Sequence, residues 1–173
     1  LVMETKGNGR AGIANLGFGD GFYLEKGETC LFTCYARALE DRECLLSVSV
    51  EEKDCCALAS IPVRSPEWEK YELRLTAEQT TTAGRLLLTL SEAGRLALDY
   101  VSLFPEKTFL GRKNGLRRDI AQLLCDMKPK FMRFPGGCLV HDGSLNPSDR
   151  DSMYRWKNTL GEPENRPARR SNW

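Results

Sequence analysis

From Thr29 onward the chain repeats one pattern, apolar residues on alternate positions in short runs broken by turn-forming clusters. Cys30, Phe32, Cys34 and Ala36 share one parity, as do Leu46, Val48 and Val50, and then Tyr71, Leu73 and Leu75. Residues 85–91 and 96–104 continue the series. Successive strand side chains point to opposite faces, so an apolar parity of period two makes a strand buried on one side only. The breaks fall at residues 40–43, 51–54, 65–67 and 92–94, rich in Glu, Asp, Pro and Gly, the residues that turn a chain. Several short strands at this spacing predict a mostly β chain, with an antiparallel, jelly-roll-like β-sandwich over residues 1–105.

After Pro105 the texture changes. Leu116, Ile120, Leu123, Leu124 and Met127 fall on one stripe at helical spacing, which predicts a helix over residues 114–127. Pro129 marks its end. Residues 131–134, Phe-Met-Arg-Phe, read as a short buried strand that breaks into Pro135-Gly136-Gly137. Helix followed by strand belongs to the α/β folds. On that strand Phe131 and Arg133 share one side, and Met132 and Phe134 the other. An arginine at the inner rim of a barrel is costly unless a carboxylate meets it, and paired glycines let the backbone approach a ligand. A structural ion pair above an ordinary turn would satisfy the same spacing. Residues 136–173 are polar, with Tyr154-Arg155-Trp156 as an aromatic centre that reads as a loop anchor. A loop of this length is usually functional or disordered.

The 25 Lys and Arg against 24 Asp and Glu leave a net charge of +1, too little for a nucleic-acid binder. The charge is divided. Through Pro105 there are 11 basic and 16 acidic residues, and beyond it 14 and 8, which suits two units with different surroundings. Lys107, Arg112, Lys113, Arg117 and Arg118 have only Phe109 among them, not the stacking platforms of a single-strand binder. No apolar run nears the ~20 residues of a membrane span. The seven cysteines form an odd set without framework spacing, and the proline of Asn146-Pro147-Ser148 blocks the one glycosylation triplet. These features point to a cytoplasmic protein rather than a secreted one.

Three motifs carry less. Gly7 to Gly12 matches GxGxxG, but a glycine-rich stretch follows where a dinucleotide fold needs a helix. A glycine-broken strand or loop fits better. His141, the single histidine, stands beside Asp142 without further ligands at matching spacing, so neither a metal nor a cofactor is expected. Adjacent Cys55 and Cys56 would face opposite sides of a strand, one into the core and one to the surface.

Four segments together resemble the α-L-arabinofuranosidases of glycoside hydrolase family 51. They are Leu98-Asp-Tyr-Val-Ser-Leu-Phe-Pro105, Thr108-Phe-Leu-Gly-Arg-Lys-Asn-Gly-Leu-Arg-Arg-Asp119, Leu124-Cys-Asp-Met-Lys-Pro-Lys-Phe-Met-Arg-Phe-Pro-Gly-Gly-Cys138 and Tyr154-Arg-Trp-Lys-Asn-Thr-Leu-Gly161. The resemblance implies a longer enzyme, a (β/α)8 barrel with β-sandwich domains. Residues 1–105 would be a carbohydrate-binding-module-like sandwich. Residues 106–173 would be the N-terminal part of the catalytic barrel, truncated. The implied reaction is retaining hydrolysis of terminal α-L-arabinofuranosyl residues in arabinan, arabinoxylan and their oligosaccharides, by two Glu residues about 5 Å apart. Both would lie beyond Trp173, so no catalytic residue is expected in this chain, and alone it would be inactive. By position, Arg133 would hold the nucleophilic carboxylate ionised, Gly137 and Cys138 would line the sugar subsite, and Trp173 would flank it. Neither metal nor cofactor is implied, and the longer protein could be a homo-oligomer. There are two departures. Cys138 stands where many relatives have Asn, and a thiol hydrogen-bonds only weakly. His141-Asp142-Gly143 and the loop after it replace a shorter Glu-Gly turn.

A competing reading makes the sandwich the functional unit, a non-catalytic carbohydrate-binding module. That requires aromatic side chains exposed on one face or loop edge. Tyr23, Tyr35 and Trp68 are the candidates, though core or rim packing is the more common use of each.

Overall fold

The computed structural model describes residues 1–7, 9–17, 19, 21–133, 137, 146, 148 and 156–166. Two compact units divide the chain, Leu1–Leu123 and Leu124–Trp173.

The first unit is built from β1 (Val2–Thr5), β2 (Ala11–Asn15), β3 (Phe22–Leu24), β4 (Thr29–Ala38), β5 (Cys44–Glu51), β6 (Cys55–Val63), β7 (Glu69–Thr76), β8 (Thr81–Leu90) and β9 (Gly94–Pro105). One sheet has the order β1-β9-β4-β7, the other β2-β8-β5-β6, with β3 also on β8. All these pairings are antiparallel. The two sheets face each other across a single apolar cluster, to which Phe32, Leu46, Val48, Val50, Leu75, Leu88, Leu96 and Leu98 contribute. The expected alternation is what fills it. Cys30, Phe32, Cys34 and Ala36 of β4 are buried, while Leu31, Tyr35 and Arg37 between them are partly exposed. Phe32 is 0% exposed, and burial of such a ring stabilises the fold by about 2 kcal/mol.

Four strands escaped the sequence pattern. β2 and β3 lie end to end along the same edge of β8, Ala11–Asn15 against residues 86–90 and Phe22–Leu24 against residues 81–84. Glycine permits this close approach. A Cβ at Gly12 would stand 2.3 Å from the Leu88 carbonyl oxygen, and Gly21 takes φ +119° against Ala83. That is the use made of the glycine-rich segment in place of a nucleotide site. β1 is a short edge strand on β9. In β6, Cys55 is exposed and Cys56 buried, the division expected for adjacent strand positions.

β9 changes phase part-way. Ala36 pairs with Leu98 and Tyr35 with Asp99, but Thr33 pairs with Ser102. Cys34 therefore faces two residues, Tyr100 and Val101, which makes a β-bulge. Tyr100 takes φ +46°, a left-handed conformation that costs a non-glycine residue about 1 kcal/mol. The Asp99 carboxylate accepts a hydrogen bond from the Tyr100 amide at 2.8 Å and so satisfies a donor the ladder has lost.

Beyond Pro105 the chain is strapped to the sandwich. Arg74 pairs with Glu106 at 2.7 Å, and Lys113 with Glu72 at 2.8 Å. Thr108 forms an isolated bridge with Arg117. This strap delays the helix. Asn114 takes φ +50°, and α1 runs only over Arg118–Asp126, four residues later than expected from the apolar stripe. Lys128 ends it in a left-handed conformation, φ +48°, with its amide donating to the Cys125 carbonyl, a common helix terminator. Of α1 only Ala121 is buried, and Leu116, Ile120, Leu123, Leu124 and Met127 are exposed.

The strand expected over residues 131–134 does not form at its described positions. Residues 131–133 carry no regular structure, and Phe131 and Met132 are exposed. A single strand has no ladder to complete without neighbours, so apolar composition alone does not make one. Further on, the described residues include short 3-10 turns at Trp156–Thr159 and Pro163–Asn165.

Candidate functional site

Arg133 and Gly137 are the two expected site residues that lie among the described ones. Both are exposed. A Cβ built on Gly137 would stand 3.7 Å from the Arg133 guanidinium, so the arginine folds back over the glycine. Cys138, Trp173, His141 and Asp142 lie outside the described residues. Among the described residues no group of three His, Cys, Asp or Glu side chains could hold a metal ion.

A second constellation lies on the outward face of the four-stranded sheet. Tyr35 of β4 pairs with Lys70 of β7 on one side and Asp99 of β9 on the other. The Lys70 ammonium lies 5.8 Å from the Tyr35 ring centroid. Tyr100 meets Tyr35 edge to face. Two residues along β4, the Arg37 guanidinium lies 5.2 Å from the centre of the Trp68 ring. Trp68 is 44% and Tyr100 47% exposed. Arg37 Nε is buried and has no hydrogen-bond partner among the described residues, a donor whose desolvation is not repaid. Tyr23, the third aromatic candidate, is also exposed, but it belongs to β3 on the other sheet. The three candidates therefore do not share a face. The partner that completes the group is Tyr100, which an unbroken alternation from Leu96 and Leu98 would turn inward. The signal for it was the change of apolar parity between Leu98 and Leu103.

On the outer side of the five-stranded sheet, Arg10 joins three strands. It donates to Thr89 Oγ1 at 3.1 Å, Ser49 Oγ at 3.3 Å and Glu51 Oε1 at 2.7 Å. Ser49 donates to the same carboxylate at 2.6 Å. The hydrogen bond from Arg10, then that from Ser49, hold the Glu51 carboxyl below its usual range. The groups are all satisfied, and the network ties β2, β5 and β8 together.

Residues 123–173 match the family model described as Alpha-L-arabinofuranosidase 1 domain. The chain is 34% identical over 167 residues to an extracellular exo-alpha-L-arabinofuranosidase of Streptomyces chartreusis, covering 93% of this chain and 20% of that protein. The arabinose-bound MgGH51 α-L-arabinofuranosidase superposes with a TM-score of 0.80 and 27% identity, over 95% of this chain and 27% of that one. Along nearly its whole length the chain is similar to α-L-arabinofuranosidases of family 51. Alpha-L-arabinofuranosidase 1 of Arabidopsis thaliana is likewise 34% identical, over 97% of this chain and 24% of its own length. The chain thus spans about a quarter or less of the arabinofuranosidases it matches.

The expectation of a cytoplasmic protein is corrected by the Streptomyces arabinofuranosidase, which is extracellular. Unpaired cysteines misled it. Cys30, Cys34, Cys44 and Cys56 are buried and pack as small apolar side chains, so their lack of disulfides reports on the core and not on the compartment. Burial pushes the Cys34 thiol up to about 12. Burial first, then the Glu28 charge, raise that of Cys30 to about 11.

Proposed function

We propose that this chain is part of a retaining α-L-arabinofuranosidase that removes terminal α-L-arabinofuranosyl residues from arabinan- or arabinoxylan-type glycans. The observation that carries the reading is the likeness to an arabinose-bound arabinofuranosidase along nearly the whole chain, over 95% of it at a TM-score of 0.80. Residues 1–105 form a carbohydrate-binding-module-like sandwich, and residues 106–173 contribute to a (β/α)8 catalytic barrel. In that barrel Arg133 faces a catalytic carboxylate. A fixed guanidinium beside a carboxylate keeps it ionised and aimed, through charge and paired hydrogen bonds. Gly137 and Cys138 border the arabinose subsite, Gly137 by leaving room for the sugar and Cys138 through its backbone. Trp173 closes one side with a flat apolar face. The nucleophile and the acid/base are not in this chain, so it does not hydrolyse glycosides by itself.

The test is release of 4-nitrophenol from 4-nitrophenyl α-L-arabinofuranoside, by the 173-residue chain and by the chain extended to its relatives' length. Hydrolysis by the extended chain only is expected. Hydrolysis by the shorter chain would mean that its own carboxylates are catalytic and that the assignment of roles is wrong.

A further inference from the structure

We infer that the outward face of β4, β7 and β9 is a non-catalytic binding site for a neutral polysaccharide chain, with Tyr100 and Trp68 as its stacking residues. This deepens the carbohydrate-related reading of the sandwich but does not depend on the barrel site.

The first observation is the bulge. An uninterrupted β9 would place Tyr100 opposite the buried Cys34 and send its ring into the core. One extra residue turns it outward instead, and β-bulges commonly re-aim a side chain in this way. The turn is made at φ +46° by a tyrosine and not by glycine. Backbone strain held at a non-glycine residue concentrates where a side chain has to be presented. Tyr100 packs edge to face on Tyr35 and is still 47% exposed.

The second observation is what the bulge joins. Trp68 stands across from Arg37 where the β4–β7 ladder ends at Ala36 and Glu69. Tyr100 is on the opposite side of β4, beside Tyr35. Strands lie about 4.8 Å apart, so the two exposed rings flank β4 on a platform roughly 10 Å wide. Cations lie against two rings of this platform, Lys70 over Tyr35 and Arg37 against Trp68. Rigid aromatic planes with one apolar surface outward suit the apolar faces of sugar rings. Arg37, Lys70 and Asp99 supply donors and acceptors for hydroxyl groups.

The charges select among glycans. Arg37 and Lys70 are drawn to ring faces, and Asp99 sits beside Tyr35. The adjoining Glu72 is paired with Lys113. Signs are mixed over the platform, so a polyanionic glycan gains little there. A neutral chain of pentose or hexose units is the fitting occupant.

The experiment is affinity electrophoresis of the 173-residue chain in native gels containing soluble arabinoxylan, with polygalacturonate and empty gels alongside. Arabinoxylan should retard the chain, and Trp68→Ala and Tyr100→Gly should each weaken retention about tenfold. Tyr100→Gly removes the ring while suiting the backbone conformation, so its melting temperature separates lost binding from lost fold. Tyr23→Ala, on the other sheet, should bind as the parent does. Absence of retardation, retention of Trp68→Ala and Tyr100→Gly undiminished from the parent's, or retardation by polygalacturonate alone would each overturn the inference. Hydrolysis of the small chromogenic arabinoside by the extended chain should be unchanged in Trp68→Ala. Platform and catalytic readings therefore fail separately.

Discussion

Tyr100 meets Tyr35 edge to face, with ring centroids 6.2 Å apart and planes at 70°. The contact exists because β9 carries one residue more than β4 opposite Cys34. Left-handed backbone at position 100 is tolerated by glycine and resisted most by β-branched residues. Tyr100→Val should therefore be less stable than Tyr100→Gly by about 1 kcal/mol, read from urea unfolding midpoints. Equal midpoints would mean that the bulge is unstrained or rearranges.

The Arg10–Glu51 pair should make stability depend on acid. The folded-state pKa of Glu51 lies below its ordinary 4.5. Its contribution is therefore present above that value and is lost as the pH falls through the lowered one. Both side chains are partly exposed, which limits the pair to at most about 1 kcal/mol. Arg10→Gln should destabilise at neutral pH, and its difference from the parent should shrink on acidification below 4.5. A difference constant with pH would exclude this origin.

Thiol labelling should sort the cysteines by burial. Native protein at mildly alkaline pH should react at Cys55 and Cys125, which are exposed, and spare Cys30, Cys34, Cys44 and Cys56. The thiols of Cys30 and Cys34, raised to about 11 and about 12, supply almost no thiolate there. Denaturation should release all four. Peptide mapping by mass spectrometry would show it, and rapid native labelling of Cys34 would contradict the packing of the core.

Where one side of a strand is buried and the other wet, residue order carries the fold. β4, β5, β8 and β9 were readable from Phe32, Val48, Leu88 and Leu96 with their neighbours. β6 was not, because Cys55-Cys56-Ala57 and Pro62 lack the branched and aromatic residues that mark strands. β2 was hidden by glycines whose purpose, contact with the Leu88 backbone, is visible only in three dimensions. The helix stripe was real, but Asn114-Gly115 turns before it and shortens the helix. Arg133, Gly137 and Trp68 were singled out from the sequence. Tyr100 was not, since a bulge breaks the very parity used to assign sides. The strand expected over residues 131–134 is absent at 131–133 for a different reason, because strand formation depends on partners as well as on its own residues.

The most direct test of the central claim is Arg133→Ala in the chain extended to its relatives' length, assayed on 4-nitrophenyl α-L-arabinofuranoside across pH. A guanidinium that keeps the nucleophilic carboxylate ionised should, when removed, lower kcat/KM by about a hundredfold. The acid limb of the pH profile should move upward, with the melting temperature unchanged and partial recovery in Arg133→Lys. Full activity with an unshifted acid limb would contradict the placement of this chain in an arabinofuranosidase site.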